Sequence, residues 1–387
     1  MFISIDLFKV LSLYYNKLLI LNIKEGTTMK YYEEIPIIRS IATMLVVLVH
    51  VTSRIYYTNG EFTNHVLGYF NQFSRLGTPI FAVISGFLLT SSTLKRPFDL
   101  GYFVKSRFTK ILLPFIIWTT LYIILSLSFS ETFNSLSNNI INTYLLGAGE
   151  THLYFILVVI EFYILFPLFQ KISSGKPIVL LYAFATILNI VWFYFGNGLF
   201  QFKNDIINTF INSRIFILNW ISFFVLGILF AKHYEDVNKL ITKYKKIIFT
   251  ISIILFINLY ITIDLENLIS SSTSIMLINI PVFITVLMYF YQTIKTSKPL
   301  MQIFTKIGNF SMGIYLVHLI VIMVYRRIFG FIVLNNSATF ILSYIIILLT
   351  SIIIVELISR LPFANYIIPI PKRKKNNTER IYTTMYN

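Results

Sequence analysis

The chain has 387 residues, of which 56% are hydrophobic and 17% aromatic, while only 12% are charged. A soluble domain carries about 25% charged residues, so the composition excludes a soluble globular protein and predicts one that crosses a membrane many times. The sequence contains no Cys, which excludes disulfides and thiolate metal sites, and its formal net charge is +16. This basic balance indicates topology and attraction to anionic membrane lipids rather than binding to nucleic acid.

The first 28 residues form a separate stretch ahead of Met29. They include the apolar segment "LFKVLSLYYNKLLILNI", which is interrupted by Lys9 and Lys17. Three interpretations are open: a helix in the membrane interface, an additional weak span, or translation that begins at Met29 instead. The predicted organisation is an N-terminal extension over 1–29, one transmembrane domain over 30–362 and a basic cytoplasmic tail over 363–387.

Ten apolar stretches follow, each of roughly 20 residues, which is the length that a helix needs to cross a hydrocarbon core of about 30 Å. These predicted spans cover residues 37–57, 72–93, 110–130, 152–172, 177–196, 212–232, 246–264, 274–294, 309–329 and 337–359. The predicted fold class is therefore all-α, a polytopic integral membrane protein with about ten transmembrane helices.

Lys and Arg are distributed unequally over the segments that connect these spans. The connections between spans two and three and between spans six and seven are rich in cations, whereas 131–151 and 265–273 contain neither Lys nor Arg. Arg326 and Arg327 fall on the poorer side. Because cytoplasmic segments carry an excess of Lys and Arg, both termini are predicted to be cytoplasmic, in a multi-pass membrane protein.

The first span contains the stretch "RSIATMLVVLVH", which begins at Arg39 and ends at His50. Eleven residues make just over three helical turns, so the two side chains are predicted to share one face, about 16 Å apart along the axis. Titratable groups inside a membrane are costly and mark functional sites by default. Two interpretations are open: a snorkelling Arg39 with a hydrogen-bonded His50, or a cation near the cytosol aligned with a general base deeper in the protein.

Four more motifs follow in chain order: "GTPIFAVISGFLLTSS" at 77–92, "FVKSRFTKILLPFIIW" at 103–118, "HLYFILVVIEFYILFPL" at 152–168 and "GNFSMGIYLVHLIVI" at 308–322. Together with the Arg39–His50 spacing, they resemble the acyltransferase-3 family of bacterial membrane acyltransferases over roughly 30–360. Within that family, the variant "SRLGTPIF" resembles the branch that modifies intercellular-adhesin polysaccharide in Gram-positive biofilms. The chain departs from the family's usual R-x-x-R pair, because it has Lys110 after Arg107, and Lys lacks the bidentate fork of Arg.

The resemblance implies transfer of an acetyl or succinyl group from a cytoplasmic acyl-CoA, with acetyl-CoA as the first choice. The acceptor is a hydroxyl of a cell-surface polysaccharide or lipid-linked glycan. Arg39, Arg107 and Lys110 are then the candidates for binding the donor's phosphates, although ordinary cytoplasmic charge also explains the last two. His50 is the candidate catalytic residue, either as a general base or through a covalent acyl-histidine. The predicted partners are membrane lipids, the glycan acceptor and proteins of polysaccharide biosynthesis.

Four other residues are candidates for substrate binding or support. Arg75, near the outer start of span two, could hold the acceptor or pair with Glu161, which lies in the middle of span four. His318 has Tyr315 one helical turn away, and could orient substrate, support a proton path or make an ordinary interhelical hydrogen bond. His152 lies at the outer mouth of span four, where an acceptor sugar could reach it, although its interfacial location alone is a sufficient explanation.

Other reaction classes lack their motifs in this sequence. It contains no HExxH motif, no P-loop and no G-x-S-x-G elbow, so neither a metal enzyme, an ATP-driven pump nor a serine hydrolase is indicated. The rival hypothesis is an exporter or flippase for polysaccharide or lipid-linked sugar. Such a transporter explains Glu161 and Arg75, but gives no reason for Arg39 and His50 on one helical face.

Overall fold

The computed structural model describes residues 32–94, 98–129, 140–172, 174–196, 202–330 and 339–370. The predicted N-terminal extension and most of the predicted basic tail lie outside these described residues. Within them the chain is helical and contains no strand. This architecture confirms the predicted all-α fold class.

The helices are numbered here in chain order. The first eight are α1 (Glu34–Asn59), α2 (His65–Ser74), α3 (Gly77–Thr93), α4 (Leu100–Arg107), α5 (Leu113–Phe129), α6 (Ile140–Leu145), α7 (Tyr154–Phe169) and α8 (Lys176–Val191). The next eight are α9 (Asp205–Ile211), α10 (Ile221–Lys232), α11 (Tyr234–Lys243), α12 (Lys245–Ile261), α13 (Met276–Ile294), α14 (Lys298–Phe329), α15 (Phe340–Ser359) and α16 (Ala364–Ile367). Two π-helical segments, Phe108–Leu112 and Trp192–Gly196, and a 3₁₀ turn, Ile217–Asn219, complete the described helices.

Each of the ten predicted spans overlaps one of these helices. Among the described residues, seven helical stretches are long and apolar enough to cross a membrane: Glu34–Asn59, His65–Thr93, Leu100–Leu127, Lys176–Gly196, Met276–Ile294, Lys298–Phe329 and Phe340–Ser359. Tyr154–Phe169 and Ile221–Lys232 are apolar but shorter. The helices therefore confirm a polytopic membrane protein, while its orientation stays a prediction from the Lys and Arg distribution.

α1 lies in the middle of the bundle, where it packs against α2, α3, α13, α14 and α15. Its approach to α14 is especially close, because a Cβ atom on Gly308 would lie 1.9 Å from the carbonyl oxygen of Pro36. Only glycine permits two helix backbones to come this near. Ala42, Val47 and Val51 of α1 are fully buried in the same core. The α1–α14 contact brings together the functional residues described below.

α3 and α10 form a second close pair, in which each helix contributes a glycine. A Cβ atom on Gly86 would lie 2.1 Å from the carbonyl oxygen of Phe224, and one on Gly227 would lie 2.0 Å from the carbonyl oxygen of Val83. Gly86 belongs to the "SGFLL" motif of the second span. The structure therefore gives this part of the motif a packing role, since any larger residue would separate the two helices.

Two predicted segments, the third span and the C-terminal tail, differ from the prediction in the structure. The third span is not one regular helix, because α4 passes through the π-helical segment Phe108–Leu112 before α5 begins. The predicted tail also starts as part of the bundle. Within it, α16 packs against α5, the Trp118 Nε1–H donates to the Ile367 carbonyl at 3.0 Å, and Ile368 is fully buried. Burial of apolar side chains thus holds the first residues beyond 362 against the helices.

Candidate active site

Three histidines from distant parts of the chain meet inside the bundle. His50 lies on α1, His318 on α14 and His152 two residues before α7. The ring centroids of His50 and His318 are 5.1 Å apart, those of His152 and His318 are 5.2 Å apart, and those of His50 and His152 are 6.2 Å apart. His152 and His318 are buried, whereas His50 is half-buried. These three residues are called the histidine cluster below.

The hydrogen bonds of His318 define the state of its two ring nitrogens. Nδ1 lies 3.1 Å from the carbonyl oxygen of Ile314 and 2.7 Å from that of Tyr315. Carbonyl oxygens only accept hydrogen bonds, so Nδ1 carries the hydrogen and donates it. In the neutral imidazole, Nε2 then keeps its lone pair, and this atom is buried with no hydrogen-bond partner among the described residues. His318 therefore holds an unused proton acceptor within the cluster.

Two tyrosines enclose His152. The Tyr315 hydroxyl donates to the His152 carbonyl oxygen, and the two rings lie 5.0 Å apart. The ring of Tyr122 lies 5.4 Å from the His152 ring, and its hydroxyl donates to the Leu316 carbonyl at 2.7 Å. Both ring nitrogens of His152 are buried without a hydrogen-bond partner among the described residues. The interfacial explanation of His152 is therefore wrong, because the chain ahead of α7 turns this side chain inward.

Arg39 contacts the same neighbouring helix as His50. Its Nε and Nη2 atoms donate to the Ser311 hydroxyl at 3.0 and 2.6 Å. Ser311 and His318 are seven residues apart on α14, which is about two helical turns. Because α14 contacts Arg39 at one level and His50 at another, the predicted common face of these two residues is confirmed.

Arg75 is buried in a polar network that ties the start of α3 to α1. Its Nε donates to Asn71 Oδ1 at 3.2 Å, and its Nη2 donates to the Ser53 hydroxyl at 3.2 Å. Asn71 Nδ2 donates in turn to the hydroxyls of Thr52 and Ser53 at 2.9 and 3.0 Å. Ser53 lies one helical turn beyond His50, so this network borders the histidine cluster.

The predicted ion pair between Arg75 and Glu161 is absent from the described residues, so this expectation is corrected. Tyr154, at the start of α7, is the part of that helix within electrostatic range of Arg75. Glu161 lies seven residues further along the helix, which is about 10 Å away. Its Oε2 atom is buried with no hydrogen-bond partner among the described residues. A substrate-binding role for Glu161 stays a prediction.

Arg107 and Lys110 differ in their surroundings. The Arg107 guanidinium carbon lies 5.2 Å from the Phe103 ring centroid and 5.0 Å from that of Tyr163, in the geometry of cation–π contacts. Lys110 is exposed and belongs to the π-helical segment, whose wider turns change the spacing expected of an α-helix. The contact of both cations with donor phosphates stays a prediction.

The cationic groups and the histidine cluster are separated by the same number of residues in two segments. Arg39 and His50 are eleven residues apart on α1, and Tyr163 on α7, which contacts Arg107, is eleven residues beyond His152. On α1, eleven residues of helix span about 16 Å.

Comparison with known proteins identifies the family of the chain. The model of the acyltransferase-3 family, described as an acyltransferase domain, matches residues 32–360. The chain is therefore a membrane protein of the acyltransferase-3 family.

The chain also has curated relatives, at low sequence identity. The chain is 26% identical over 304 residues to the probable poly-beta-1,6-N-acetyl-D-glucosamine export protein of Staphylococcus aureus strain Mu50, an alignment that covers 75% of this chain and 82% of that protein. The protein of the same name from strain MSSA476 is 26% identical over 302 residues, with the same coverage. No solved structure matches the chain.

Sequence reasoning missed some members of the site. His152 was assigned to the interface, and neither Tyr122 nor Ser311 was singled out. The motif "HLYF" begins with His152 and could have drawn attention to it. The hydroxyls of Tyr122 and Ser311 carry no comparable signal, because their roles depend on which helices become neighbours.

Proposed function

We propose that this protein is an O-acyltransferase that moves an acyl group from acyl-CoA to a hydroxyl of a cell-surface polysaccharide or lipid-linked glycan. The observation that carries the proposal is the histidine cluster, aligned along α1 with a cation that faces the predicted cytoplasm. The family supports acyl transfer, and the names of the relatives support poly-β-1,6-N-acetylglucosamine as the acceptor class. Acetyl and succinyl groups are both suitable cargo for such a site.

In the direct route, His50 acts as the general base. It takes the proton from the acceptor hydroxyl while the hydroxyl oxygen attacks the thioester carbonyl. The new C–O bond forms, the C–S bond breaks, and the proton passes from the imidazolium to the departing CoA thiolate. His318 Nε2, which has no hydrogen-bond partner among the described residues, is available to accept the transferred proton once the acceptor is bound. The unpaired acceptor on His318 supports this role.

A covalent route also acts through His50. The His50 ring nitrogen attacks the thioester carbonyl, the C–S bond breaks, and the CoA thiolate takes up the proton that the acylated ring releases. The glycan hydroxyl oxygen then attacks the acyl carbon, the C–N bond breaks, and the hydroxyl proton returns to the imidazole. Brief incubation of the purified protein with radiolabelled acyl-CoA, without acceptor, distinguishes the two routes. The covalent route predicts label on His50 after acid quenching, and the direct route predicts none.

The donor is expected to enter from the predicted cytoplasmic end. Arg39 and Arg107 supply guanidinium groups for its phosphates, and Lys110 adds an exposed ammonium group. CoA carries its thioester at the end of a long flexible arm, remote from those phosphates. A separation of about 16 Å between the cations and His50 suits a donor of this shape.

This orientation is itself testable, because the chain has no Cys and single cysteines can be labelled without background. A cysteine at Asn267 should react with an impermeant maleimide added to intact cells, and one at Asp236 should react only after lysis. Asn138, a further candidate position for an outside label in 131–151, lies outside the described residues, whereas Asn267 and Asp236 are both exposed. The opposite labelling pattern would remove the donor role from Arg39, Arg107 and Lys110.

The central experiment measures acyl transfer by His50→Ala in proteoliposomes that contain radiolabelled acetyl-CoA and a β-1,6-linked N-acetylglucosamine oligosaccharide. The expected loss is about 10²- to 10⁴-fold, because a positioned proton acceptor contributes that much. His65→Ala is the matched control, since His65 is exposed at the start of α2. Transfer by His50→Ala at the rate of the control would contradict the catalytic assignment.

The second candidate function is export of the glycan, which the names of the relatives favour. Export and acylation give different results for the same variant. If the protein is only an exporter, His50→Ala cells should still carry fully acylated glycan and differ only in how much of it reaches the surface. Mass spectrometry of surface glycan from wild-type and His50→Ala cells measures both quantities.

A further inference from the structure

A cavity lies away from the histidine cluster, at the end of the bundle predicted to face outward. It has a volume of about 420 Å³. Three segments form its walls: the π-helical end of α8 from Trp192 onward, the chain over 212–219 that leads into α10, and the loop over 270–274 ahead of α13. It is called the outer cleft below.

The outer cleft combines aromatic rings with neutral polar groups. Trp192, Phe193 and Tyr194 contribute the rings, and Tyr194 is 68% exposed. The neutral polar groups come from two amides and five hydroxyls, those of Asn212, Asn219, Ser213, Ser270, Ser272, Thr273 and Ser274. No Asp or Glu lines the cleft among the described residues.

This combination matches the two-sided chemistry of a sugar ring. The C–H faces of a pyranose are apolar and pack on aromatic rings, while its edges carry hydroxyls that need both donors and acceptors. Hydroxyl and amide side chains supply both roles without a net charge. A hydrophobic ligand would leave the ring of hydroxyls unpaired, which is costly once water is displaced.

One hydroxyl of the outer cleft is available to form a hydrogen bond with a ligand. Thr273 Oγ1 is buried with no hydrogen-bond partner among the described residues. The neighbouring hydroxyls of Ser270 and Ser272 lie 3.2 Å apart and are paired with each other. An unpaired hydroxyl beside a paired one indicates a position where a ligand or water completes the hydrogen bonding.

The only cation of the lining, among the described residues, is Arg214, and its charge connects the cleft to the active site. Arg214 is exposed and forms no salt bridge with a described carboxylate. It lies within electrostatic range of Arg75 and Tyr154, and Arg75 is in turn within range of His50. Two like charges with no carboxylate between them favour a ligand that supplies oxygen atoms. Arg214 therefore links the cleft electrostatically to the polar network that borders the histidine cluster.

We propose that the outer cleft binds the glycan chain whose hydroxyl is acylated, with Tyr194 stacking on a sugar ring and Arg214 and Thr273 bonding its oxygen atoms. The glycan would then extend past Arg214 and Arg75 toward His50. This inference rests on the proposed function for the identity of its ligand. It adds the place on the protein where that ligand is held.

The test measures binding of a neutral β-1,6-linked N-acetylglucosamine pentasaccharide to the full-length protein in nanodiscs, by calorimetry and without any donor. Tyr194→Ala and Arg214→Ala should each weaken binding about 10-fold or more, because each removes a contact to the sugar. Thr273→Val keeps the shape of the side chain but removes its hydroxyl, and should weaken binding about 5-fold. Retention times on size exclusion and thermal unfolding verify that each variant is folded.

Matched controls are available next to the cleft. Phe195→Ala removes an aromatic ring that is 64% exposed and adjacent to Tyr194 but outside the lining, and Lys203→Ala removes a nearby exposed cation. Both controls should bind the pentasaccharide as the wild type does. Equal weakening by control and cleft variants would overturn the proposal, and so would wild-type binding by all three cleft variants.

The remaining outcomes separate the cleft from the proposed reaction. Binding that depends on the cleft residues, in a protein that transfers no acyl group, would retain the cleft and reject acyl transfer. Normal acyl transfer with an unchanged acceptor KM in all cleft variants would retain acyl transfer and reject the cleft. Binding of vesicles of anionic phospholipid that is lost in Arg214→Ala, with no pentasaccharide binding, would identify a lipid headgroup as the occupant and overturn the glycan assignment.

Discussion

The histidine cluster and the basic segment around Arg107 are built in opposite ways. The cluster takes one imidazole from each of three distant segments and buries two of them, with ring centroids 5.1 to 6.2 Å apart. The basic segment lies on one stretch of helix, with Lys110 exposed and Arg107 resting on two aromatic rings. The first therefore depends on the packing of the whole bundle, and the second on local sequence.

This difference has a chemical consequence. Proton transfer needs groups at hydrogen-bonding distance, so small displacements in the cluster are costly. Attraction of an anionic donor acts over a longer range and tolerates a change in the exact position of a cation. Substitutions in the cluster should then change the rate of the bound complex, whereas those in the basic segment should change the concentration of donor that is required.

Between the histidine cluster and the basic segment, the largest effect is expected for His318→Phe in the cluster, which keeps the bulk of the ring but removes both nitrogens. If His318 shares the transferred proton, kcat should fall about 10²-fold, near the lower end of what proton transfer contributes. The donor KM should stay within about 2-fold, since a group that acts only in the transition state changes kcat and not ground-state binding. A pH profile of kcat/KM is the decisive measurement.

A purely structural His318 predicts a different result. In that case His318→Phe would change thermal stability while the shape of the pH profile stays that of the wild type. His233→Phe is a suitable comparison, because His233 lies outside the cluster at the end of α10.

An intermediate effect is expected for Arg39. Arg39→Ala should raise the donor KM about 10- to 100-fold, because a hydrogen bond to a charged group is worth about 1.5–3 kcal/mol. Arg39→Lys keeps the charge but loses the fork that now reaches Ser311 through two nitrogens, so it should retain partial function. Ser311→Ala tests whether Ser311 holds the Arg39 guanidinium in place for the donor. If it does, the donor KM should change; if Arg39 acts through its charge alone, the donor KM should not change. A reduced kcat with an unchanged donor KM in Arg39→Ala would contradict the donor role.

The smallest effects are expected in the basic segment. Arg107→Ala should raise the donor KM about 10-fold, while Lys110→Arg should match or improve on the wild type, because Arg can bind phosphate in a bidentate manner. Steady-state kinetics with varied acyl-CoA measure both. Lys171→Ala is the control for general cytoplasmic charge. An equal shift in Lys171→Ala and Arg107→Ala would indicate that only the summed charge of this face matters.

Much of the fold could be predicted because lipid limits the alternatives. A chain that must satisfy its backbone hydrogen bonds inside a bilayer becomes helical wherever about 20 apolar residues run together. The ten predicted spans all contain helices for this reason. The prediction was less accurate where tertiary packing acts on a segment, as at Phe108–Leu112, which becomes π-helical, and at Ile368, which packs on the bundle although it follows the last span.

Only part of the candidate site could be predicted from the sequence, and the reason is physical. Arg39 and His50 lie on one helix, so the helical repeat alone determined that they share a face. His318 and Tyr315 could be named because they belong to one motif on another helix. The partner of Arg75 could not be derived, since Asn71 and Ser53 become its neighbours only through the turn between α2 and α3.

The sequence by itself determined the class of protein, the helical spans and the common face of Arg39 and His50, because these follow from composition and from the repeat of a single helix. Only the tertiary structure decided that His152 joins His50 and His318, and that the outer cleft forms from three separate segments. Contacts between distant segments depend on how helices pack, down to the glycines that let α1 meet α14 at Gly308. No periodicity within one segment encodes that choice of neighbours.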